Sequence, residues 1–324
     1  MKAAVVKAPK TNPIYGDFDE PVAQTGQTII AVSASALSNL AKSRASGAHY
    51  SSETHFPAVA GVDGVGRTTE GQRVYFMLPE APFGAFAEKS LAKVQHCIPL
   101  PDDLDDVVAA AIANPGMSAS AALMERAHFK IGETVLVNGA TGTAGRIAVQ
   151  LAKYLGAARV IATGRNEEEL QEVKKLGANV TIPFALATIH PSGSKEYEQA
   201  LAKEFANGID IVLDYLWGES ARTIIAAIAK VPEGAPPVRF VQIGAASGEE
   251  NISLPGAALR SSSIELMGSG LKSVSMSGLI RAIKSVFAAA IPAKLQIAKK
   301  AVPLSEVEHY WNAPAKPRIV FTLS

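Results

Sequence analysis

The chain has 324 residues, 48% of them hydrophobic and 19% charged, with a formal net charge of +1. That is long enough for two domains with full cores, and near-neutral charge removes the electrostatic case for nucleic acid or an acidic membrane as partner. Cys97 is the only cysteine, which excludes an internal disulfide and a cysteine-cluster zinc site and suits a reducing, cytoplasmic setting.

Met1–Val6 lacks the long apolar core of a signal peptide, and no run of about 18 uninterrupted apolar residues predicts a membrane span. Residues 1–110 read as β-rich, with strands expected at Lys2–Ala8, Thr28–Ala36, Arg73–Leu78 and near Phe86–Lys93. Gly61–Gly66 is glycine-rich, but no helix start follows it, so it reads as tight strand bends. From Asp102 the pattern turns helical: Leu104–Ala113, a break at Asn114-Pro115-Gly116, then Met117–Ala127.

Val135-Leu136-Val137 then reads as a buried parallel strand, followed by glycines at 139, 142 and 145 and by the helical spacing of Ile147, Leu151 and Leu155. Strand, glycine turn and helix together make a phosphate site. The turn Gly139-Ala140-Thr141-Gly142-Thr143-Ala144-Gly145 lets a pyrophosphate approach, and the first N–H groups of the helix hold it. The spacing departs from G-x-G-x-x-G, but a second strand, Arg159–Thr163, follows at βαβ distance. An NAD site puts Asp or Glu at the end of that strand. Here it reads Gly164-Arg165-Asn166, and Arg165 suits a 2′-phosphate, so the expected cofactor is NADPH.

Further elements follow as helix Asn166–Leu176, strand Val180–Pro183, helix Ser194–Ala206, strand Ile209–Asp214, helix Ser220–Val231 and strand Val238–Ile243. Alternating strands and helices predict a doubly wound parallel sheet. Ligands bind at the carboxyl ends of such strands, which aligns Gly139–Gly145, Gly164–Asn166, Asp214–Trp217 and Gly244 along one edge. Asn251–Leu254 alternates as a strand at the sheet margin. The tail predicts a strand at Ile264–Met267, helices Val274–Ala290 and Pro303–Trp311, and a closing strand Arg318–Leu323. Residues 1–112 and 255–324 are expected to meet as one discontinuous domain around a dinucleotide-binding domain at 113–254, with the active site in the cleft between them.

Four motifs occur in order: Phe56–Gly66, Gly84-Ala85-Phe86-Ala87-Glu88, Asn114-Pro115-Gly116-Met117-Ser118-Ala119 and Gly139–Gly145. On these the chain resembles, over essentially its whole length, the zinc-independent medium-chain dehydrogenase/reductases, the quinone oxidoreductase-like family. The resemblance implies an α/β fold in which a GroES-like β-barrel catalytic domain surrounds a Rossmann-like one. It also implies hydride transfer from NADPH to a quinone or an α,β-unsaturated carbonyl, and a homodimer formed through the Rossmann-like sheets. Ser38-Asn39-Leu40 stands where the zinc-bearing branch carries its first catalytic cysteine, and the histidines, 49, 55, 96, 128, 190 and 309, are too scattered for a metal motif. The same resemblance puts Asn39 and Tyr50 at the substrate pocket, Asn114 and Ser118 beside the cofactor, and Tyr215 and Gly244 near the nicotinamide half. The growing oxyanion needs a donor, and Lys42, Asn39 or Tyr50 supplies one. Trp217 stands where relatives often have glycine, and either narrows the pocket or packs. A non-catalytic NADPH-binding role, as sensor or crystallin-like protein, is the alternative reading.

Overall fold

The computed structural model describes the whole chain except residues 51, 53–54, 185–192, 232–233, 235 and 324 and the side chains of 193–194. Two compact units result: Pro115–Gln296, and Met1–Asn114 with Ile297–Ser324.

The first unit is built on six parallel strands: β1 (Thr134–Asn138), β2 (Arg159–Gly164), β3 (Val180–Pro183), β4 (Ile211–Asp214), β5 (Val238–Gln242) and β6 (Ile264–Gly268). Their spatial order is 3-2-1-4-5-6, the doubly wound Rossmann-like order. Every residue of β1 is buried, as expected of a central strand covered on both faces. Helix α1 (Thr143–Tyr154) buries Ile147, Ala148, Leu151 and Ala152, the stripe legible in the sequence. Helix α2 (Glu167–Lys175) opens on three glutamates and closes on two lysines, in the order its dipole favours. Helices α3 (Gly193–Ala206), α4 (Gly218–Ile228) and α5 (Met276–Ala290) complete the set used below. Chain order reverses across β1, which lies between β2 and β4. That switch point is where doubly wound sheets hold ligands.

The second unit holds a three-stranded antiparallel sheet and a larger sheet organised on the ten-residue strand Gln27–Ala36. That strand pairs with Lys89–Lys93 at one end, with Asp63–Thr68 in the middle and with Arg318–Thr322 at the other. A register shift between Val32 and Ala34 bends it from one partner to the next. Phe86, Trp311 and Phe321 pack edge to face in this unit's core. Gly61, at φ +101°, and Gly84 belong to one crossing: a Cβ on Gly84 would lie 2.2 Å from the Ala60 carbonyl oxygen.

Three expectations need correction. Asn114-Pro115-Gly116 does not break the helix, which runs unbroken from Asp106 to Ser120 and continues as a π-helix to Arg126. An interior proline costs about 3 kcal/mol, and packing offsets it here. The helix is lined with buried alanines, and Gly116 admits α5 so closely that a Cβ would lie 2.6 Å from Val286. By length and composition this helix is apolar enough to cross a membrane, yet most of it is buried inside the fold, as a core helix would be. Asn251–Leu254 is not a strand; Ile252 and Leu254 alternate because they lie on the core while their neighbours face water. The sheet margin is β6 instead, paired with β5. For the same reason the chain returns to the other unit at Ile297 and not at 255: β6 and α5 belong to the parallel sheet's own layers.

Candidate active site

The three glycines after β1 have three different physical roles. Gly139 adopts φ +84° to turn the chain, and Gly145 lies so close to the turn that a Cβ would stand 2.3 Å from the Gly139 carbonyl oxygen. Gly142 is exposed, and a Cβ there would meet nothing nearer than 3.4 Å. It is the N-cap of α1 and brings no side chain to close that helix end. Thr141, Thr143 and Ala144 line the same turn, partly exposed. A backbone that can be approached closely at Gly142, at the positive end of a helix dipole, fits a pyrophosphate. Ala140 N–H donates to the Thr163 carbonyl at 2.9 Å, tying this turn to the end of β2.

At that end Gly164 is buried, and the Thr141 methyl leaves no room for a side chain there: a Cβ would lie 2.6 Å from it. Arg165 is exposed and makes no hydrogen bond or ion pair with the described residues. Asn166 serves the fold, since its Oδ1 accepts the Glu169 N–H at 2.9 Å and caps α2. Arg146, which the sequence reading passed over, reaches this region from α1. Its Nε donates to the Thr141 carbonyl at 3.1 Å, and its Nη2 lies 4.0 Å from the Glu169 carboxylate. The signal was there to read, a cation directly after the third glycine.

Beneath the switch point lies a buried polar network. Thr163 Oγ1 donates to Asn138 Oδ1 at 2.7 Å, and Asn138 Nδ2 donates to Asp214 Oδ1 at 2.8 Å and to Ser220 Oγ at 3.0 Å. Asp214 also accepts the N–H groups of Leu216 and Trp217. Burial pushes its carboxyl up to about 6, against the pull of those hydrogen bonds. Trp217 packs, half-buried with Leu216, against this unit's core. Tyr215 and Gly244 meet at the ends of β4 and β5, where a Cβ on Gly244 would lie 3.1 Å from the Tyr215 carbonyl oxygen. The Tyr215 phenol is buried without a hydrogen-bond partner among the described residues, and burial raises its pKa, offset in part by the Ser118 hydroxyl beside it. Asn114 and Ser118 stand one turn apart on the helix Asp106–Ser120.

In the other unit Asn39 and Lys42 share one short helix, Asn39–Ala45, one turn apart. Ser38, at the place of the absent cysteine, is that helix's N-cap: its hydroxyl accepts the Ala41 N–H at 3.0 Å. Asn39 is exposed. Lys42 is half-buried, and desolvation lowers its ammonium pKa from the ordinary value. Its Nζ lies 3.5 Å from the Ala313 carbonyl oxygen. Tyr50 lies beyond the helix, 57% exposed, its ring against that of His49. Among the described residues no three of His, Cys, Asp and Glu are grouped to hold a metal ion; His190 lies outside them. Cys97 is half-buried, with its thiol pushed up to about 11 by desolvation, which leaves it a poor nucleophile at neutral pH.

A family model described as "Zinc-binding dehydrogenase" matches residues 144–300. The chain is 30% identical to the probable NADPH-dependent quinone reductase tdiC of Emericella nidulans over 263 residues, 72% of each chain. A 2-haloacrylate reductase of Burkholderia sp is 30% identical over 203 residues, 58% of each chain. Among solved structures, the quinone oxidoreductase of Thermus thermophilus, also solved in complex with NADPH, superposes with a TM-score of 0.79 at 25% identity over the full length of both chains. A mycobacterial quinone oxidoreductase superposes at 0.81 and 22% identity, again over both whole chains, a likeness of fold.

Proposed function

The chain belongs to the medium-chain dehydrogenase/reductase family, on its quinone oxidoreductase-like branch, and on that premise we propose an NADPH-dependent reductase that delivers hydride to a quinone or an α,β-unsaturated carbonyl without a metal. The observation that carries it is the open Gly142 turn at the N-terminus of α1, next to a strand end that presents Arg165 where an NAD site has an acid. Gly139, Thr141, Gly142, Thr143, Ala144 and Gly145 hold the pyrophosphate, and Gly164 and Arg165 the adenosine ribose, with Asn166 capping α2 beside them. Asn114, Ser118, Tyr215 and Gly244 border the nicotinamide half. NADPH, when bound, supplies the hydride. Asn39, Lys42 and Tyr50 orient the acceptor and exclude water, and Lys42, whose ammonium is made a better acid by burial, gives the proton that an enolate needs.

The reading includes a homodimer, which the sheet's margin supports. Strand β6 pairs on one side with β5, and among the described residues no strand covers its other side; Leu266, within this strand, is 40% exposed. A second copy offering the same edge would cover it in a self-complementary way. The lone Cys97 suits a cytoplasmic location, and a net charge of +1 gives no hold on nucleic acid or membrane.

The test is steady-state oxidation of NADPH and NADH with a panel of quinones, enones and 2-haloacrylates, before and after exhaustive chelation. NADPH oxidation by at least one acceptor class, unchanged by chelation, is expected. No turnover with any acceptor would reject the reading, and stoichiometric zinc lost together with activity would reject the metal-free mechanism.

A further inference from the structure

We propose that Arg146 reads the cofactor's 2′-phosphate together with Arg165, with Glu169 as the weakly held counter-charge that the guanidinium gives up to the phosphate; this rests on the NADPH reading above. Arg146 belongs to the first turn of α1, directly after the third glycine of the turn. Its side chain does not extend into solvent. It is 22% exposed and folds back so that Nε donates to the Thr141 carbonyl at 3.1 Å. Thr141 in turn presses its methyl on Gly164, the last residue of β2 before Arg165. From this tether Nη2 faces the carboxylate of Glu169 at 4.0 Å, in the first turn of α2, the helix capped by Asn166. Arg146 therefore bridges the glycine turn and the β2–α2 turn, the two segments that flank the adenosine ribose in a doubly wound dinucleotide fold.

The charges make sense only for a phosphate. A guanidinium has five N–H donors in a fixed fork, and Arg146 commits one of them to Thr141 and aims a second loosely at Glu169. The rest remain for an anion. Glu169 alone would suit a ribose 2′-hydroxyl and repel a phosphate. Facing Arg146, its charge is offset, and a half-exposed pair at 4.0 Å is weak enough to exchange for a dianion. Arg165 cannot supply orientation by itself, since nothing among the described residues holds its side chain. Arg146 is the one held in place.

The experiment is a set of equilibrium titrations of the full chain with NADPH, NADH and adenosine 2′,5′-bisphosphate, for wild type, Arg146→Ala, Arg146→Lys, Arg165→Ala and Glu169→Gln. Circular dichroism would confirm that each variant is folded. Expected for Arg146→Ala is a loss of roughly tenfold or more in affinity for NADPH and the bisphosphate, the size of a lost charge-assisted bond, with NADH within about twofold of wild type. Arg146→Lys recovers part of the loss. Glu169→Gln tightens the bisphosphate by roughly twofold to fivefold, as removing a competing exposed ion-pair partner should. Equal losses for NADPH and NADH in both Arg146 variants would make the residue a structural part of the turn and overturn the inference. So would an Arg165→Ala variant with no remaining NADPH preference. Equal affinity of the wild type for NADPH and NADH would instead overturn the cofactor reading on which the inference stands.

Discussion

Both carboxylate oxygens of Asp214 accept the backbone N–H of Trp217, at 3.2 and 3.1 Å, and Trp217 sits at φ +60° and ψ −157°. That conformation is close to glycine-only and costs of order 1–3 kcal/mol for any other residue. The carboxylate, itself held by Asn138, and the packing of the indole on the core keep the backbone there. Because its carboxyl is pushed up to about 6 by burial, Asp214 binds a proton more tightly folded than unfolded. Its contribution to stability is therefore greatest below about pH 4, where both states are protonated, and is lost as pH rises through about 6. We expect the stability difference between wild type and Asp214→Asn to fall by about 2–3 kcal/mol between pH 4 and pH 7, at roughly 1.4 kcal/mol for each tenfold difference in proton affinity between the folded and unfolded chain. Denaturant unfolding of both proteins at the two pH values checks this, and a difference that does not change with pH refutes it. Asp63, likewise pushed up to about 6, is present in both proteins and cancels.

The glycine turn offers a paired substitution. Gly142→Ala places a Cβ no closer than 3.4 Å to its neighbours, at an ordinary φ of −72°, so the fold should tolerate it. Gly145→Ala places one 2.3 Å from a backbone oxygen that cannot yield. Overpacking of that kind costs about 1–3 kcal/mol or more. Expected for Gly142→Ala is an unchanged melting temperature with NADPH affinity reduced about tenfold or more, and for Gly145→Ala a loss of both. Differential scanning fluorimetry with and without NADPH separates the two.

Lys42 should matter in proportion to the acceptor's need for a proton. A quinone takes protons from water once reduced, whereas an enone needs one delivered at carbon. Lys42→Met should lower kcat for an enone by roughly a hundredfold, within the range of a lost general acid, and lower quinone turnover by far less. Because burial lowers the pKa of Lys42, wild-type enone reduction should also fall at alkaline pH, a limb that Lys42→Met lacks. Equal loss with both acceptors would make the residue one of packing only.

The exposed edge of β6 can be tested by charge. Leu266→Lys sets two cations against each other if the edges pair across a two-fold axis, and charged edges resist pairing. Sedimentation should show a dimer for wild type and a species near the 33.8 kDa chain mass for the variant. A wild-type monomer, or a variant that dimerises as well as wild type, rejects this strand as the contact.

Much of the dinucleotide-binding unit was legible in the sequence because local chemistry dictates it. The apolar run at 135–137, the glycines at 139, 142 and 145 and the stripe Ile147, Leu151, Leu155 each report a backbone state that few other residues permit. The small differences at helix and strand ends are of one to three residues, where ends fray. Arg165 at the end of β2 was visible for the same reason: its place along the chain is its place in the fold.

What only the tertiary structure decided depends on partners distant in sequence. Pro115 reads as a break until the close passage of α5 past Gly116 shows what offsets the lost hydrogen bond. Ile252 and Leu254 alternate as a strand would, but a strand needs a neighbour to pair with, and β5 had already taken β6. Asn166 and Arg146 exchanged importance: the first is spent on capping α2, and the second, a cation whose direction the sequence does not show, is turned by the Thr141 carbonyl toward Glu169, 23 positions further on in the chain. Periodicity and turn chemistry are local and survive reading in one dimension. The direction of a guanidinium, the identity of an edge strand and the cost of a proline are set by contacts between segments that the sequence holds apart.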